Sequence, residues 1–344
     1  MPNSGETGAA VTIQSVALKA GVSTATVSRV LQGSASASDT TRAKVIAAAR
    51  ELRYQPPKRS RGRVQVRHEA DGLVLADLAG SYYSELVLGH QAAASEMGHS
   101  LIVLATRRRS DASEAVRELA KRVDGLVISA NTVPDSVAHS LSRALPVTLL
   151  GRPDVPGCDS VRAENLRNAV LITSHLFDHG RSHLVFVGDP DSSPDVSERY
   201  AGFRTAHAAA DVAIRRPPLR VPLVEGAGVQ VAEEILRRRV KLDGLVCAND
   251  ELALAIIRRL QDNGIRVPDD LAVVGWDDVP AARYISPGLS TVRQPIRELA
   301  RLAAASLHTR IIGEQPASSA QVVPCQVVLR SSCGCVTRPS VARP

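Results

Sequence analysis

Apolar residues recur at helical spacing near the start of the chain and in short continuous runs further along it. Over residues 13–31 they lie three or four positions apart, and Gly21 interrupts them, which predicts a helix, a turn and a second helix at about 24–32. A third amphipathic segment predicts a helix over about 39–53. Three short helices can close one small core. Four residues are then expected to face outward from the second helix: Thr24, Ala25, Ser28 and Arg29.

From residue 72 onward, short apolar runs alternate with amphipathic segments, as in β-α-β units with a parallel sheet. The sequence Asp-Gly-Leu-Val occurs at 124–127 and again at 243–246, each time opening a strand, which indicates two similar lobes. Ligands of such open sheets bind at the carboxyl ends of strands, here between the lobes. Strands are predicted at 73–77, 101–105, 125–129, 146–150, 184–188, 219–223, 244–248 and 271–275.

The positive charge is concentrated at one end of the chain. The net charge is +7, yet residues 1–67 hold eleven Lys and Arg against three acidic residues, whereas the remainder holds 31 against 32. A basic module attached to a neutral body is typical of a nucleic-acid-binding protein. The alternative, a basic solubilising tail, is disfavoured because residues 11–54 are patterned like a folded domain.

Signals for export and membrane insertion are missing from the sequence. The first ten residues lack a positive and an apolar region, and no apolar run approaches the roughly 18 residues of a membrane span. The five cysteines are an odd number and do not form a disulfide framework. We therefore expect a cytoplasmic protein with no membrane partner.

The run VTIQSVALKAGVSTATVSRVLQGSASASDTTRAKVIAAARELRYQP, at 11–56, resembles the headpiece of the lac-repressor family over its whole length. The resemblance implies that the second helix reads base edges in the major groove of double-stranded DNA through Thr24, Ala25 and Arg29. The Arg29 guanidinium can donate two hydrogen bonds to guanine, and the Thr24 methyl and Ala25 can touch a thymine methyl. Further residues are expected to hold phosphates: Thr12, Ser23, Ser28, Gln32, Ser38 and Thr41. For each Ser and Thr of that group, a helix cap or a solvated hydroxyl is an equal alternative.

Residues 55–71 form a basic linker rich in Pro and Gly. In the family this segment carries an Ala and, three residues later, a Leu that wedges into the minor groove. Ser60 and Arg63 stand at those positions here, and Val64 would substitute only after a shift of one residue. Two interpretations stay open: a flexible charged linker, or a basic segment lying in a narrow minor groove through Arg59, Arg61 and Arg63.

The remainder of the chain, 72–335, resembles the effector domain of the same family, which has the architecture of periplasmic sugar-binding proteins. The matching stretches include DLAGSYYSELVLG, VDGLVIS, LPVTLLGRP, RYAGF, CANDELALAIIRRLQDNGIRVPDDLAVVGWDD and PGLSTVRQP. The fold class is therefore α/β, with an N-terminal three-helix helix-turn-helix headpiece and a two-lobed periplasmic-binding-protein-like domain with parallel sheets. The predicted parts are the headpiece at 11–54, the linker at 55–71, an N-lobe at about 72–160 and 293–320, and a C-lobe at about 163–290 and 321–335.

Candidate effector contacts follow predicted strand ends. Sugar rings pack their C–H faces on aromatic side chains, and their hydroxyls need donors and acceptors at fixed positions. Asn249 and Asp277 have the alternative role of helix caps. Gly151 stands where the family often has an acidic residue, and Trp276 is bulkier than the usual Phe or Tyr. The expected contacts are Tyr82, Tyr83, Arg152, Arg199, Phe203, Asn249, Trp276 and Asp277.

The sequence carries no motif of an enzyme, such as a nucleophile elbow or a phosphate-binding loop. Cys333 and Cys335 have no His or further Cys close by in the sequence, so we expect no metal site, and no cofactor is predicted. An exported sugar-binding protein would need a signal peptide and would not need residues 11–54. An RNA-binding protein would more often display aromatic stacking platforms, which the first 53 residues lack. We therefore predict a transcription regulator, and specifically a repressor, that binds a pseudo-palindromic operator as a homodimer or larger assembly under control of a small effector, expected to be a sugar.

Overall fold

A small helical unit, the headpiece, precedes two α/β lobes. The structure, a computed structural model, describes residues 12–31, 38–52, 54, 67–107, 109–238, 241–313 and 320–335. The headpiece helices are α1 Ile13–Ala20, α2 Thr24–Leu31 and α3 Asp39–Glu51. Gly21 ends α1 with a left-handed φ of 67°, which glycine adopts without strain. Val16, Val27 and Val45, one from each helix, are fully buried in a common core, as the apolar spacing predicts.

The body is built from parallel strands that alternate with helices. Its strands are β1 Ala70–Leu75, β2 Ser100–Ala105, β3 Gly125–Ser129, β4 Val147–Leu150, β5 Asp159–Ala163, β6 Leu184–Val187, β7 Gly244–Cys247, β8 Ala272–Val274, β9 Thr291–Arg293, β10 Ala320–Val323 and β11 Gln326–Val328. Its helices are α4 Ser81–Met97, α5 Ala112–Ala120, α6 Asp135–Ser142, α7 Leu166–Asp178, α8 Pro194–Ala209, α9 Glu225–Arg238, α10 Asp250–Gln261, α11 Ala281–Tyr284 and α12 Ile296–Ile311, followed by a 3₁₀ turn, η1 Ser331–Cys333. The α/β class is confirmed.

Two sheets define the lobes. The N-lobe sheet is parallel with the order β10-β5-β4-β3-β1-β2, and the C-lobe holds the parallel sheet β6-β7-β8 beside the antiparallel pair β9-β11. The strands β1, β3 and β4 are buried along their whole length, as expected for a sheet covered on both faces. The chain passes between the lobes after β5, β9 and β10. These three passages are the connections about which the lobes can open and close.

The repeated Asp-Gly-Leu-Val motif has the same structural role in both lobes. The carboxylate of Asp124 accepts hydrogen bonds from the backbone N–H groups of His68 and Glu69, both at 2.9 Å. Asp243 accepts the equivalent bonds from Ser182 and His183, at 2.9 and 2.7 Å. Each aspartate therefore fixes the start of the neighbouring strand, β1 or β6. The repeat reflects one strand-pairing device used twice.

Several sequence-based boundaries change. The strand predicted at 219–223 is wrong, because only Leu219 forms a bridge, to Val187, and Pro222 lacks the N–H that a ladder needs. The prediction omitted β5 and β9, and the single last strand expected in the C-lobe segment at about 321–335 is two strands, β10 and β11. Both β5 and β10 pair within the N-lobe sheet, which moves the lobe boundaries, and β1 begins at residue 70 inside the predicted linker. Among the described helices, none has the length and apolar character needed to cross a bilayer.

Candidate DNA-reading surface and effector cleft

The predicted phosphate-holding hydroxyls lie at the N-termini of the headpiece helices. Thr12 caps α1 and Ser38 caps α3, accepting hydrogen bonds from the backbone N–H groups of Ser15 and Thr41, both at 3.3 Å. Ser23 Oγ accepts from the Thr26 N–H at 3.2 Å. All three caps are exposed, so the capping role leaves them accessible. Helix N-termini also attract anions, so capping and phosphate binding are compatible here.

The second helix presents fewer side chains than the sequence predicts. Arg29 is exposed and Thr24 is half-buried, but Ala25 and Ser28 are only 4% and 8% exposed. The expectation that all four face outward is therefore wrong for Ala25 and Ser28, whose short side chains are covered by neighbouring atoms. Four further predicted DNA contacts lie outside the described residues: Gln32, Arg59, Arg61 and Arg63.

A cleft opens between the lobes at the carboxyl ends of their strands. It encloses about 140 Å³. The N-lobe wall comes from residues that follow β1 to β4, including Tyr82 and Tyr83 at the start of α4, and the C-lobe wall includes Arg199, Asn249 and Asp277. In the N-lobe sheet the strand order reverses at β1, with β2 on one side and β3 on the other. Open α/β sheets bind ligands at such a switch point.

The charged wall of the cleft is mostly acidic. Four carboxylates, of Asp77, Asp195, Glu251 and Asp277, stand against the guanidinium groups of Arg107 and Arg199. Asp77 and Arg107 form an ion pair. Burial raises the pKa of Asp277 to about 7, although the charge of Arg199 opposes the shift. Burial also raises the pKa of the Asp195 and Glu251 carboxyls.

Asp277 combines burial with an unusual backbone. It directly follows the short link after β8, its φ is 118°, and its Oδ1 accepts a hydrogen bond from Gln294 Nε2 at 2.6 Å. A non-glycine residue in this region is strained, and such strain concentrates at functional sites. The fold therefore holds this carboxylate in the cleft at a cost to its own stability.

Arg199 is fixed by groups of the C-lobe. Its Nε donates to Asn165 Oδ1 at 2.9 Å, its Nη1 donates to the Ala248 carbonyl at 2.7 Å, and its guanidinium carbon lies 4.6 Å from the Trp276 ring centroid. Nη2 makes no hydrogen bond to any residue that the structure describes. The guanidinium is thus pre-oriented, with one nitrogen left for a ligand.

The structure places three of the eight expected effector contacts outside the cleft wall. Arg152 turns into the N-lobe, where Nη1 donates to the Val133 carbonyl at 3.1 Å and Nη2 pairs with Asp135. Phe203 is 1% exposed on the inner face of α8. Trp276 is 2% exposed and supports Arg199 from behind. The expectations for Arg152 and Phe203 are corrected, because each side chain is satisfied within its own lobe. Trp276 does not line the cleft either, but its buried Nε1 has no hydrogen-bond partner among the described residues.

Asn249 lines the cleft and also caps a helix. Its Oδ1 accepts from the Leu252 N–H at 3.1 Å and its Nδ2 donates to the Leu223 carbonyl at 3.3 Å. The capping alternative therefore holds, with one amide hydrogen remaining for a ligand. Sequence reasoning missed Asp77, Arg107 and other cleft residues, although Asp77 is the last residue of a predicted strand and Arg107 lies two residues after the end of the next one.

Two glycines of the N-lobe receive carboxylates of the C-lobe. A Cβ atom on Gly80 would collide with Glu251, and one on Gly151 would lie 3.0 Å from Asp195 Oδ2. The lobes therefore meet at the rim of the cleft. Gly151, where the related family often has an acidic residue, leaves room for the Asp195 carboxylate, and an acid there would face a like charge.

The expectation that Cys333 and Cys335 have no histidine partners is wrong. The fold brings them to His175 and His179 at the end of α7, with the four ligand atoms all within 4.8 Å of one another. The sequence separates these pairs by more than 150 residues, 156 between Cys335 and His179, so spacing alone could not show the cluster.

Known proteins share both parts of this architecture. A model of the lacI family of bacterial regulatory proteins matches residues 12–57, and a model of the periplasmic binding protein-like domain matches residues 173–333. The chain is 32% identical to the HTH-type transcriptional regulator GalR of Escherichia coli strain K12 over 299 residues, which is 85% of this chain and 87% of that protein.

Solved structures of transcription regulators share the fold of this chain. The transcriptional regulator CelR, in complex with cellobiose, superposes with a TM-score of 0.70 and 30% identity over 94% of this chain and 100% of that one. A lac repressor dimer bound to operator and the anti-inducer ONPF gives a TM-score of 0.70 and 27% identity over 94% and 99%. This chain belongs to the lacI family of bacterial regulatory proteins, which are DNA-binding transcription regulators with an effector-binding domain and not enzymes.

Proposed function

We propose that this regulator responds to a neutral sugar bound in the cleft between its lobes. The observation that carries the proposal is the chemistry of the cleft wall, where four carboxylates and two arginines accompany an edge-to-face tyrosine pair with ring centroids 5.3 Å apart. Carboxyl groups form hydrogen bonds with neutral hydroxyls whether or not they are ionised, and aromatic rings pack on the C–H faces of sugars. The hydrogen bond from Arg107 lowers the pKa of Asp77, so this carboxylate stays ionised and repels phosphate. A neutral polyhydroxylated ligand therefore fits better than an anionic one.

The volume of the cleft favours a small sugar. A cavity of about 140 Å³ is close in size to a cavity of about 150 Å³ that encloses one benzene ring. In this arrangement the lobes leave room for at most a single sugar ring. A disaccharide, such as the cellobiose with which the relative CelR was solved, would require the lobes of this protein to stand further apart. Tyr82, Tyr83, Arg199, Asn249 and Asp277 are the contacts that we assign to the ligand.

The headpiece is proposed to read one half of a pseudo-palindromic operator, with a second copy of the chain reading the other half. Exposed Arg29 supplies base readout, and the exposed caps Thr12, Ser23 and Ser38 supply phosphate contacts. The similarity to a lac repressor dimer on its operator supports this arrangement. We expect the protein to act in the cytoplasm, where operator DNA lies.

The effector controls DNA binding by favouring one arrangement of the lobes. Both lobes contribute to the cleft wall, so a ligand that contacts both binds the closed arrangement more tightly. Sugar binding can then change the free energy of operator binding by at most the difference in operator affinity between the two arrangements. We propose this coupling as the basis of repression.

A titration followed by tryptophan fluorescence tests the sugar proposal. Trp276 is the single tryptophan of the chain and lies against Arg199, so its emission reports on the cleft. The full chain is titrated with glucose, galactose, ribose, cellobiose, glucose 6-phosphate and hypoxanthine, and its melting midpoint is measured in parallel. Saturable binding of a neutral sugar is expected. Binding of only the phosphorylated sugar or only the nucleobase would contradict the proposal.

A further inference from the structure

Four side chains with the chemistry of metal ligands meet in the C-lobe, and none of them lines the cleft. His175 Nε2 lies 3.3 Å from Cys333 Sγ and 3.3 Å from Cys335 Sγ, and His179 Nε2 lies 3.4 Å from Cys335 Sγ. The centroids of the His175 and His179 imidazole rings are 4.6 Å apart. The proposed effector and DNA contacts use none of these groups.

Local structure explains why the four groups converge. His175 and His179 are four residues apart at the end of α7, so they project from one face of the helix. Gly334 has a φ of 107°, and a Cβ atom there would lie 3.2 Å from His179 Nδ1. Only a glycine lets the chain turn this closely past the imidazole, and the turn brings Cys333 and Cys335 to the same side.

The separations match a tetrahedral metal site. With Zn–N distances of about 2.0–2.1 Å and Zn–S distances of about 2.3 Å, tetrahedral ligands place N and S about 3.6 Å apart. The three N–S distances of 3.3–3.4 Å are close to this value. We propose that His175, His179, Cys333 and Cys335 bind one Zn²⁺ ion.

The donor set selects the metal and its role. Two thiolates and two imidazoles in a tetrahedral arrangement favour Zn²⁺ over the oxygen-preferring Mg²⁺ and Ca²⁺. Four protein ligands leave no open coordination position, so the site is structural and not catalytic. Ser290 Oγ donates a hydrogen bond to Cys333 Sγ at 3.0 Å, and such an outer-shell donor stabilises a thiolate and orients it.

Zinc at this place would fasten the end of the described chain to the C-lobe. The segment from β10 to η1 first pairs with β5 in the N-lobe and then with β9 in the C-lobe, so it forms one of the three passages between the lobes. Ser332 Oγ already anchors η1 to β8 by donating to the Val273 carbonyl at 2.6 Å. A metal bond to α7 adds a second anchor, and the stability of the C-lobe then depends on the ion.

Metal content and Co²⁺ spectroscopy test the proposal on the full chain. The protein is expressed with added Zn²⁺ and purified under reducing conditions without chelator. We expect about one zinc per chain by elemental analysis, and the visible absorption of tetrahedral Co²⁺ with a thiolate charge-transfer band after exchange. Removing zinc with a strong chelator should lower the melting midpoint by more than about 5 °C, and added Zn²⁺ should restore it.

Variants assign the ion to this cluster. Cys335→Ser and His179→Ala replace the two more accessible groups and should each reduce zinc affinity at least tenfold. The matched controls Cys325→Ser and His139→Ala, at a cysteine and a histidine outside the cluster, should keep full zinc content. The proposal is overturned if the wild-type chain fails to compete with a chromophoric chelator for Zn²⁺, if Cys333 and Cys335 form a disulfide under reducing conditions, or if zinc content is unchanged in both ligand variants.

Discussion

Replacing Asp277 by Asn is expected to make the protein more stable and less responsive to its effector. Asp277 is 6% exposed, and burial raises the pKa of its carboxyl to about 7 against the opposing charge of Arg199. Asn keeps the shape of the side chain, the oxygen that accepts from Gln294 at 2.6 Å, and the tolerance of a positive φ. The substitution therefore removes the ionisable group and little else.

The sign and size of the stability change follow from the pKa of Asp277. In the unfolded chain an aspartate ionises above about pH 4, whereas the folded carboxyl stays protonated up to about pH 7. The folded state then holds a proton that the unfolded state has lost, so the free energy of unfolding falls as pH rises from about 4 to 7 and levels off above that. A pKa difference of about three units corresponds to at most about 4 kcal/mol. Asp277→Asn should escape this loss and exceed wild type by about 2–4 kcal/mol at pH 8, and by less at pH 5.

Effector binding should change in the opposite direction. At pH 8, where the Asp277 carboxylate is ionised, a hydrogen bond to it contributes about 1.5–3 kcal/mol, so its loss weakens sugar binding about 10- to 100-fold at about 1.4 kcal/mol per decade. Urea unfolding at pH 5 and pH 8, followed by the fluorescence of Trp276, gives the stability, and a sugar titration gives the affinity.

The neighbouring residue supplies a matched control. Asp278 accepts from Arg293 Nε at 2.7 Å and from Arg330 Nη2 at 2.6 Å, so Asp278→Asn should destabilise the protein by breaking two ion pairs of a buried carboxylate. If Asp277→Asn unfolds at a lower urea concentration than wild type at pH 8, the carboxylate supports the fold and the reasoning is refuted. Unchanged sugar affinity in that variant would remove Asp277 from the site.

Three further substitutions test the headpiece and the N-lobe core. Arg29→Ala should lose about 1–3 kcal/mol of discrimination at one base pair, whereas Ser38→Ala should weaken binding to all sequences alike. Both are measured by fluorescence anisotropy on an operator and its single-base variants. A uniform loss of affinity in Arg29→Ala would count against base readout. Asp71, which is fully buried, accepts hydrogen bonds from His90, His99 and His308 at 3.1, 2.8 and 2.6 Å, so Asp71→Asn should lower the free energy of unfolding by about 3 kcal/mol. The hydrogen bond to Asp71 raises the pKa of His99. The contribution of this pair to the free energy of unfolding is therefore complete below about pH 6.5 and declines as the pH rises through the raised pKa. A series of denaturation curves with no such pH dependence would contradict this linkage.

The sequence predicts those features that depend on local patterns. Apolar spacing, Gly21 and the hydroxyl caps define the headpiece helices, because each acts within one or two turns of chain. Continuous apolar runs identify β1, β3, β4 and β7, since a strand buried on both faces needs no polar positions. The strands β9 and β11 escape prediction because each mixes polar and apolar residues within only three positions, whereas the equally short β8 is wholly apolar.

Long-range placement is what the sequence leaves undetermined. Arg152 follows a strand end as the cleft residues do, yet its guanidinium turns toward Asp135 in its own lobe, a choice that only packing decides. The histidines of α7 and the two cysteines meet because α7 and η1 both lie against the C-lobe sheet region, and neither pair signals the other along the chain. Side-chain direction and tertiary proximity thus account for the errors at the candidate sites.

The measurement that tests the account most directly is the affinity of the full chain for its operator with and without the bound sugar. A duplex selected from random sequence is labelled, and its dissociation constant is measured by fluorescence anisotropy at one fixed salt concentration, since binding to DNA varies steeply with salt. We expect saturating neutral sugar to change that constant at least tenfold in wild type, by about 1.4 kcal/mol or more, and much less in Asp277→Asn at the same sugar concentration. A sugar that saturates the cleft, as reported by Trp276, while leaving the operator constant unchanged would contradict the claim that this cleft controls DNA binding.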